Sequence, residues 1–224
     1  MFGPAKFCRS IAALAFDVDG TLADTDPIHA KAWLSALWSV NGREFDVEDY
    51  IERCILGAMS PREFLSQYCT EDEWPLVEAK KREVYPEYLA DGVALLHGVT
   101  SLVSAAQSAG IRIALVSSSS RESVEALLNQ FWDNRLPDVV ICRSDVATSK
   151  PHADPYRMAI ARLGIASADV IAFEDSDAGM RAAKAAGLAC IQVGTGSSEL
   201  ADFRIDDFGE CHIETRNGRV CLTI

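Results

Sequence analysis

The sequence predicts an α/β protein in which helices cover both faces of a parallel sheet, with a helical segment inserted near the start of the chain. Short apolar runs without polar interruptions recur along the chain, as in strands that are buried on both faces. Helical patterns separate most of these runs. A third observation is that no strand-like run occurs between about residues 27 and 90, and this gap predicts the insertion.

The predicted strands of the sheet end at polar residues or glycine. They cover residues 11–16, 111–116, 138–142, 170–173 and 188–193. Helices are predicted between them over residues 100–109, 123–131, 155–163 and 178–186. Gly110, Gly164 and Gly187 stand where glycine commonly ends a helix.

The insertion has helical patterns over residues 28–40, 47–55, 61–68 and 71–89. The predicted division is therefore a sheet domain formed by residues 1–25 and 92–210, and a helical domain over residues 26–91. Residues 211–224 form a C-terminal extension that alternates around Asn217-Gly218, a dipeptide typical of hairpin turns, so a terminal hairpin is predicted there.

The composition limits the function classes. Of the 224 residues 49% are hydrophobic and 24% charged, as in globular proteins, and the net charge is -12. This acidity argues against nucleic-acid partners and against an anionic membrane surface. No apolar run approaches the ~18 residues of a membrane helix. The seven cysteines have no CxxC spacing and are expected to be free thiols, which favours a cytoplasmic location.

Chemically reactive side chains follow the predicted strands. Because ligands bind outside the carboxyl ends of parallel strands, these side chains are expected to converge. They are Asp17, Asp19, Ser117, Lys150, Glu174 and Asp175. Clustered carboxylates raise one another's pKa unless a cation lies among them, and Mg²⁺ suits a site of oxygen ligands that also binds phosphate.

Four motifs in this order resemble the haloacid dehalogenase superfamily. The chain has Asp17-Val18-Asp19-Gly20-Thr21, then Ser117 at the end of IALVS, Lys150 in SKPHADPY, and Glu174-Asp175 in FEDSDAG. The resemblance covers roughly residues 11–200. It implies a Rossmann-like three-layer core with a parallel sheet and an inserted α-helical cap domain.

The resemblance also implies roles for these residues. Asp17 is the expected nucleophile, which forms an aspartyl-phosphate, and Asp19 is the expected general acid and base. The implied Mg²⁺ ligands are Asp17, Asp19 through its backbone carbonyl, Glu174 and Asp175. The implied phosphate-binding residues are Ser117, Ser118 and Lys150.

Within the insertion, the stretch DTDPIHAKAW resembles the start of the cap in β-phosphoglucomutase and related sugar-phosphate phosphatases. It predicts substrate-side roles for Thr25 and His29, and His29 is expected to help position Asp19 or the substrate, whereas Trp33 is assigned to the core of the cap. Gly57, Ser60 and Arg62 resemble the substrate-specificity loop of that subgroup. Lys81 is predicted to contact the part of the substrate that is not transferred.

The favoured function is a Mg²⁺-dependent phosphatase of a small phosphorylated sugar or polyol. A hexose-phosphate mutase is the alternative. Ser118-Ser119-Ser120-Arg121 stands where mutases carry a phosphate-binding lysine, a place that Arg121 or Lys81 could take. A dehalogenase is disfavoured because that chemistry needs neither Asp19 nor Mg²⁺. A silent binding protein on this fold is disfavoured because the four motifs are intact. The chain is expected to be a monomer or a weak homodimer.

Overall fold

The computed structural model describes residues 7–55, 59–131 and 137–224. Its strands form two sheets. In chain order the strands are β1 (Cys8–Ser10), β2 (Ala13–Phe16), β3 (Arg112–Val116), β4 (Val139–Ile141), β5 (Val170–Glu174), β6 (Ala189–Val193), β7 (Phe203–Ile205), β8 (His212–Arg216) and β9 (Arg219–Thr223).

The larger sheet has six parallel strands in the order β4-β3-β2-β5-β6-β7. Strand β2 lies near its centre, where Leu14 pairs with Ile113 on one side and Ile171 on the other. The prediction of a parallel sheet is confirmed. The sequence patterns missed β1 and β7, because each has only three residues and too little apolar periodicity to stand out.

The helices are α1 (Asp26–Asn41), α2 (Val47–Tyr50), α3 (Pro61–Leu65), α4 (Trp74–Ala90), α5 (Val99–Ser108), α6 (Arg121–Phe131), α7 (Asp154–Leu163) and α8 (Asp177–Ala185). A π-helical turn over Ile51–Ile55 continues α2. Helix α4 begins at Trp74 instead of residue 71, because Thr70 and Glu73 exchange side-chain to backbone hydrogen bonds of 2.9 and 3.3 Å that close a separate turn.

The alternation of side chains along β2 sorts them into two layers. Leu14 and Phe16 face a core cluster that includes apolar side chains of α5 and α6, and Phe16 stacks on Phe173 at 5.0 Å. Ala13 and Ala15 face the opposite cluster, built with α7 and α8. Helices on both faces leave only the strand ends for polar chemistry.

The helices of residues 26–90 have a separate apolar cluster of their own. Trp33 is 8% exposed there and stacks on Trp74 at 5.4 Å, which confirms its assignment to the core of this segment. At the other end of α1 and α4, Ile28 and Leu89 join the core cluster of the sheet domain. The helical segment is therefore packed against the strand ends as well as linked to them.

The C-terminal residues form an antiparallel hairpin. Strands β8 and β9 pair around Asn217 (φ 51°) and Gly218 (φ 73°), and β9 also pairs with β1. Leu222 is fully buried in the core, so the hairpin covers part of the sheet domain. All seven cysteines are free thiols. Among the helices of the described residues, none has the length and apolar character to cross a membrane.

Candidate active site

The strand ends bring Asp17, Lys150 and Glu174 into direct contact. Asp17 follows β2, Glu174 ends β5, and Lys150 comes from the loop after β4. The Lys150 ammonium pairs with Asp17 Oδ1, lies 2.6 Å from Glu174 Oε1, and donates to the Val116 carbonyl at 2.8 Å. Burial lowers the pKa of Lys150, but the two carboxylates outweigh burial and raise it, so the ammonium stays charged.

Three carboxylates form a compact cluster at this edge. Asp17, Glu174 and Asp175 each present an oxygen, and these oxygens lie within 4.8 Å of one another. Burial raises the pKa of each group to about 7, and mutual repulsion adds to the rise. The charge of Lys150 offsets the rise in pKa only partly, so a further positive charge would stabilise the ionised carboxylates of the cluster. Oxygen donors of this kind suit Mg²⁺, and the cluster could hold that ion.

The DxDGT loop holds Asp175 in this cluster. Gly20 has a φ of 75°, and a Cβ added there would lie within 3.0 Å of Asp175 Oδ2. Thr21 donates a hydrogen bond of 3.1 Å to Asp175 Oδ1. The glycine therefore allows the loop and Asp175 to approach closely, and Thr21 orients the carboxylate.

Glu174 is held by a second tight approach. It is fully buried, and Tyr156 donates a hydrogen bond of 2.5 Å to its Oε1 atom. Gly179 in α8 lies directly against the carboxylate, where an added Cβ would fall within 3.0 Å of Cδ and both oxygens. The first turn of α8 thus fixes the carboxylate that anchors Lys150.

The Asp19 side chain points to a different set of partners. Its Oδ2 atom accepts from Ser117 at 3.1 Å and from Ser119 at 2.7 Å. Its Oδ1 atom accepts from Thr25 at 3.1 Å. This side chain lies outside the carboxylate cluster found among the described residues. The proposed contact of Asp19 with a metal through its backbone carbonyl stays a prediction.

The helical segment supplies further partners to Asp19. His29 Nε2 on α1 is 3.3 Å from Oδ1, and Tyr85 on α4 donates to the same atom at 3.1 Å. Lys81 Nζ lies 3.0 Å from His29 Nδ1, and burial lowers the pKa of Lys81 to about 8. Burial opposes ionisation of Asp19, but the bonds from His29, Ser119 and Thr25 outweigh it and hold its pKa below the usual range.

The structure brings most of the predicted site residues together, but not all of them. Ser118 is exposed, and the hydroxyl that reaches Asp19 belongs to Ser119. Arg62 forms an ion pair of 2.5 Å with Glu71, both well exposed, so its substrate role stays a prediction. Gly57 lies outside the described residues. Ser60 caps α3 by accepting from the backbone of Glu63 at 3.1 Å.

Sequence reasoning gave no role to Ser119, Tyr156 or Tyr85. Ser119 stands in a run of four serines, where sequence alone does not say which hydroxyl turns inward. Tyr156 follows Lys150 by six residues in the same motif. Tyr85 is four residues after Lys81, so the helical period places both on one face of α4, and this spacing could have indicated it.

The comparisons with known proteins agree with this geometry. Residues 11–187 match the model of the haloacid dehalogenase-like hydrolase family. Protein CbbY of Cereibacter sphaeroides is 35% identical, with 81% of this chain and 83% of the relative covered. The fructose-1-phosphate phosphatase YqaB of Escherichia coli is 33% identical, with 81% of this chain and 96% of YqaB covered.

Solved structures are similar over most of their length. A point mutant of CbbY from Rhodobacter sphaeroides, crystallised in complex with xylulose-(1,5)-bisphosphate, has a TM-score of 0.75 at 30% identity, with 89% of this chain and 96% of that chain covered. A β-phosphoglucomutase from Clostridium difficile has a TM-score of 0.72 at 25% identity, with 88% and 92% covered. The chain therefore belongs to the haloacid dehalogenase-like hydrolase family.

Proposed function

We propose that this chain is a Mg²⁺-dependent phosphatase that hydrolyses a small sugar or polyol phosphate through an aspartyl-phosphate on Asp17. The observation that carries the proposal is the contact of Asp17 with Lys150 beside the carboxylates of Glu174 and Asp175. This arrangement provides a nucleophilic carboxylate, a cation for the phosphoryl oxygens and a set of ligands for a divalent ion.

The class of enzyme is phosphoric monoester hydrolase, to which the named phosphatases among its relatives belong. In the proposed reaction, a carboxylate oxygen of Asp17 attacks phosphorus, and the bond from phosphorus to the leaving sugar oxygen breaks. Water then attacks the phosphorus of the aspartyl-phosphate and releases inorganic phosphate. The second step returns the Asp17 carboxylate, so atoms and charge balance over the cycle.

The proposed metal ion would be held by Asp17, Glu174 and Asp175, and when bound it neutralises charge on the phosphoryl oxygens. Lys150 adds a second positive charge, because its ammonium is held at the base of the site by Glu174 and the Val116 carbonyl. Phosphoryl transfer depends mainly on positioning and on such charge stabilisation.

Asp19 would move the protons. Its depressed pKa keeps it ionised in this arrangement, which is the form that takes a proton from the attacking water. An anionic phosphoryl group beside Asp19 raises the pKa of the carboxyl, which favours the protonated form that the leaving oxygen needs. Ser117 and Ser119 hold the carboxylate in place for both steps.

The substrate class is inferred from the relatives and from the helical cap. CbbY has been crystallised with a sugar bisphosphate, and YqaB is named for a sugar phosphate. His29 and Lys81 carry polar groups from the cap to the site and could bind sugar hydroxyls.

A hexose-phosphate mutase is the second candidate, because a β-phosphoglucomutase shares the fold. A mutase must also hold a second phosphate. Arg121, the cation nearest in sequence to the serine run, is engaged by Asp145 at 2.6 Å, and Ser120 pairs with Ser123. Both partnerships favour hydrolysis over the mutase reaction.

The test is phosphate release from a panel of sugar, polyol and other small phosphate monoesters, with Mg²⁺ and with a chelator. Asp17→Asn is expected to lower kcat by at least about a thousandfold, because the nucleophile is removed. Asp24→Asn is the matched control, since Asp24 is an exposed carboxylate close to the same loop. Activity that survives Asp17→Asn would refute the mechanism. A wild-type chain inactive on the whole panel would favour a mutase or a binding protein.

A further inference from the structure

Tyr85 is a buried residue whose hydroxyl lies between two polar groups of the site. Its side chain extends from α4, is 1% exposed, and packs in the core cluster of the sheet domain. The hydroxyl lies 3.1 Å from Asp19 Oδ1 and 3.0 Å from His29 Nε2. A buried tyrosine with only a packing role would not need to reach both groups.

The direction of the hydrogen bonds follows from the chemistry of the donors. The Lys81 ammonium can only donate, so His29 Nδ1, 3.0 Å away, must accept from it. Neutral His29 then carries its proton on Nε2. That proton lies between two acceptors, the Tyr85 oxygen at 3.0 Å and Asp19 Oδ1 at 3.3 Å. The tyrosine proton is thereby directed to Asp19.

Ring contacts hold the three side chains of this hydrogen-bond chain in place. The rings of Tyr85 and His29 stack with centroids 4.4 Å apart at an angle of 27°. The Lys81 ammonium lies 3.8 Å from the Tyr85 ring centroid, over its face. Three residues from two helices therefore hold one another, and their donors all lead to one oxygen of Asp19.

We propose that Tyr85 is a positioning residue that orients the Asp19 carboxylate and accepts the Nε2 proton of His29 when α1 and α4 are packed over the strand ends. The inference rests on the proposed function, in which Asp19 moves the protons. It goes beyond that function by assigning the cap helix α4 a part in the chemistry as well as in substrate binding. Removal of the hydroxyl alone should loosen Asp19 and leave the substrate contacts in place.

The kinetic test is Tyr85→Phe, which keeps the ring, its stacking and its packing. We expect kcat to fall about 10- to 100-fold, the range that corresponds to one hydrogen bond to a charged group, with KM changed less than about twofold. The control is Tyr88→Phe, because Tyr88 lies on the same helix and packs against the same core cluster. An active wild type with equal kcat in both variants would overturn the role of Tyr85.

A second measurement does not depend on turnover. Long-range ¹H–¹⁵N correlation of the imidazoles reports the tautomer of each of the four histidines, and His29→Gln assigns the His29 signal. We expect His29 to carry its proton on Nε2, and Tyr85→Phe to shift that nitrogen and leave the other histidines unchanged. A proton on Nδ1 in the wild type, or an unmoved Nε2 signal, would refute the inference. If the wild type is inactive on all substrates, the proposed function is refuted, and the tautomer measurement alone then tests the contacts of Tyr85.

Discussion

Replacement of Gly179 by alanine is expected to destabilise the protein, although alanine is the better helix former. Gly179 lies in the first turn of α8, and its backbone N–H donates a hydrogen bond of 3.1 Å to the side chain of Ser176, the N-cap residue of this helix. Alanine keeps that bond and would add up to about 1 kcal/mol of helix propensity. The new Cβ would, however, fall within 3.0 Å of Glu174 Cδ and both carboxylate oxygens.

Glu174 has little freedom to move away. It is fully buried, and its Oε1 atom holds both Lys150 at 2.6 Å and Tyr156 at 2.5 Å. Disruption of a buried ion pair costs about 3–5 kcal/mol. Helix propensity returns about 1 kcal/mol, so the free energy of unfolding should fall by about 2–4 kcal/mol. For a chain of this length, that lowers Tm by about 4–16 °C.

The assay is urea and thermal unfolding followed by circular dichroism, with kcat/KM measured on the same samples. Activity should fall as well, because a displaced Glu174 no longer anchors Lys150. Ala178→Gly is the matched control: this exposed neighbour on α8 should cost at most about 1 kcal/mol and leave kcat/KM unchanged. A Gly179→Ala protein as stable and active as the wild type would show that Glu174 is not held as described.

Two further predictions concern the carboxylate cluster and the hairpin. Burial raises the pKa of Asp17, Glu174 and Asp175 to about 7. Between about pH 4 and 7 these carboxylates therefore stay protonated in the folded protein but lose their protons in the unfolded chain. The stability of the metal-free protein consequently falls as pH rises through this range. Mg²⁺ competes with those protons, so we expect it to raise Tm more at about pH 8 than at about pH 5.5, and to lose this effect in Asp175→Asn; a shift independent of pH would contradict the site. At the hairpin turn, Asn217 has a φ of 51°, so Asn217→Ala should lower the free energy of unfolding by about 1–2 kcal/mol, whereas Asn217→Gly should leave it nearly unchanged. Equal free energies of unfolding for the two variants would count against the left-handed turn.

The sequence predicted the sheet and the residues at its edge because both leave local signals. Leu14 and Phe16 lie in a continuous apolar run, and Asp17 ends it abruptly, so a buried strand with chemistry at its carboxyl end could be expected. Asn217-Gly218 predicted a hairpin in the same way. The strands β1 and β7 escaped because each has only three residues with an arginine in the middle, which is too little to show a strand pattern.

By itself, then, the sequence determined the α/β class, the four motifs and the convergence of Asp17, Lys150, Glu174 and Asp175, since parallel strands carry their ends to one edge. Only the tertiary structure decided which hydroxyl turns to Asp19, that Tyr156 and Gly179 confine Glu174, and that Tyr85 reaches Asp19. The physical reason is that helical and strand periods specify the face on which a side chain lies. The partner it meets there depends on how elements far apart in the chain pack together.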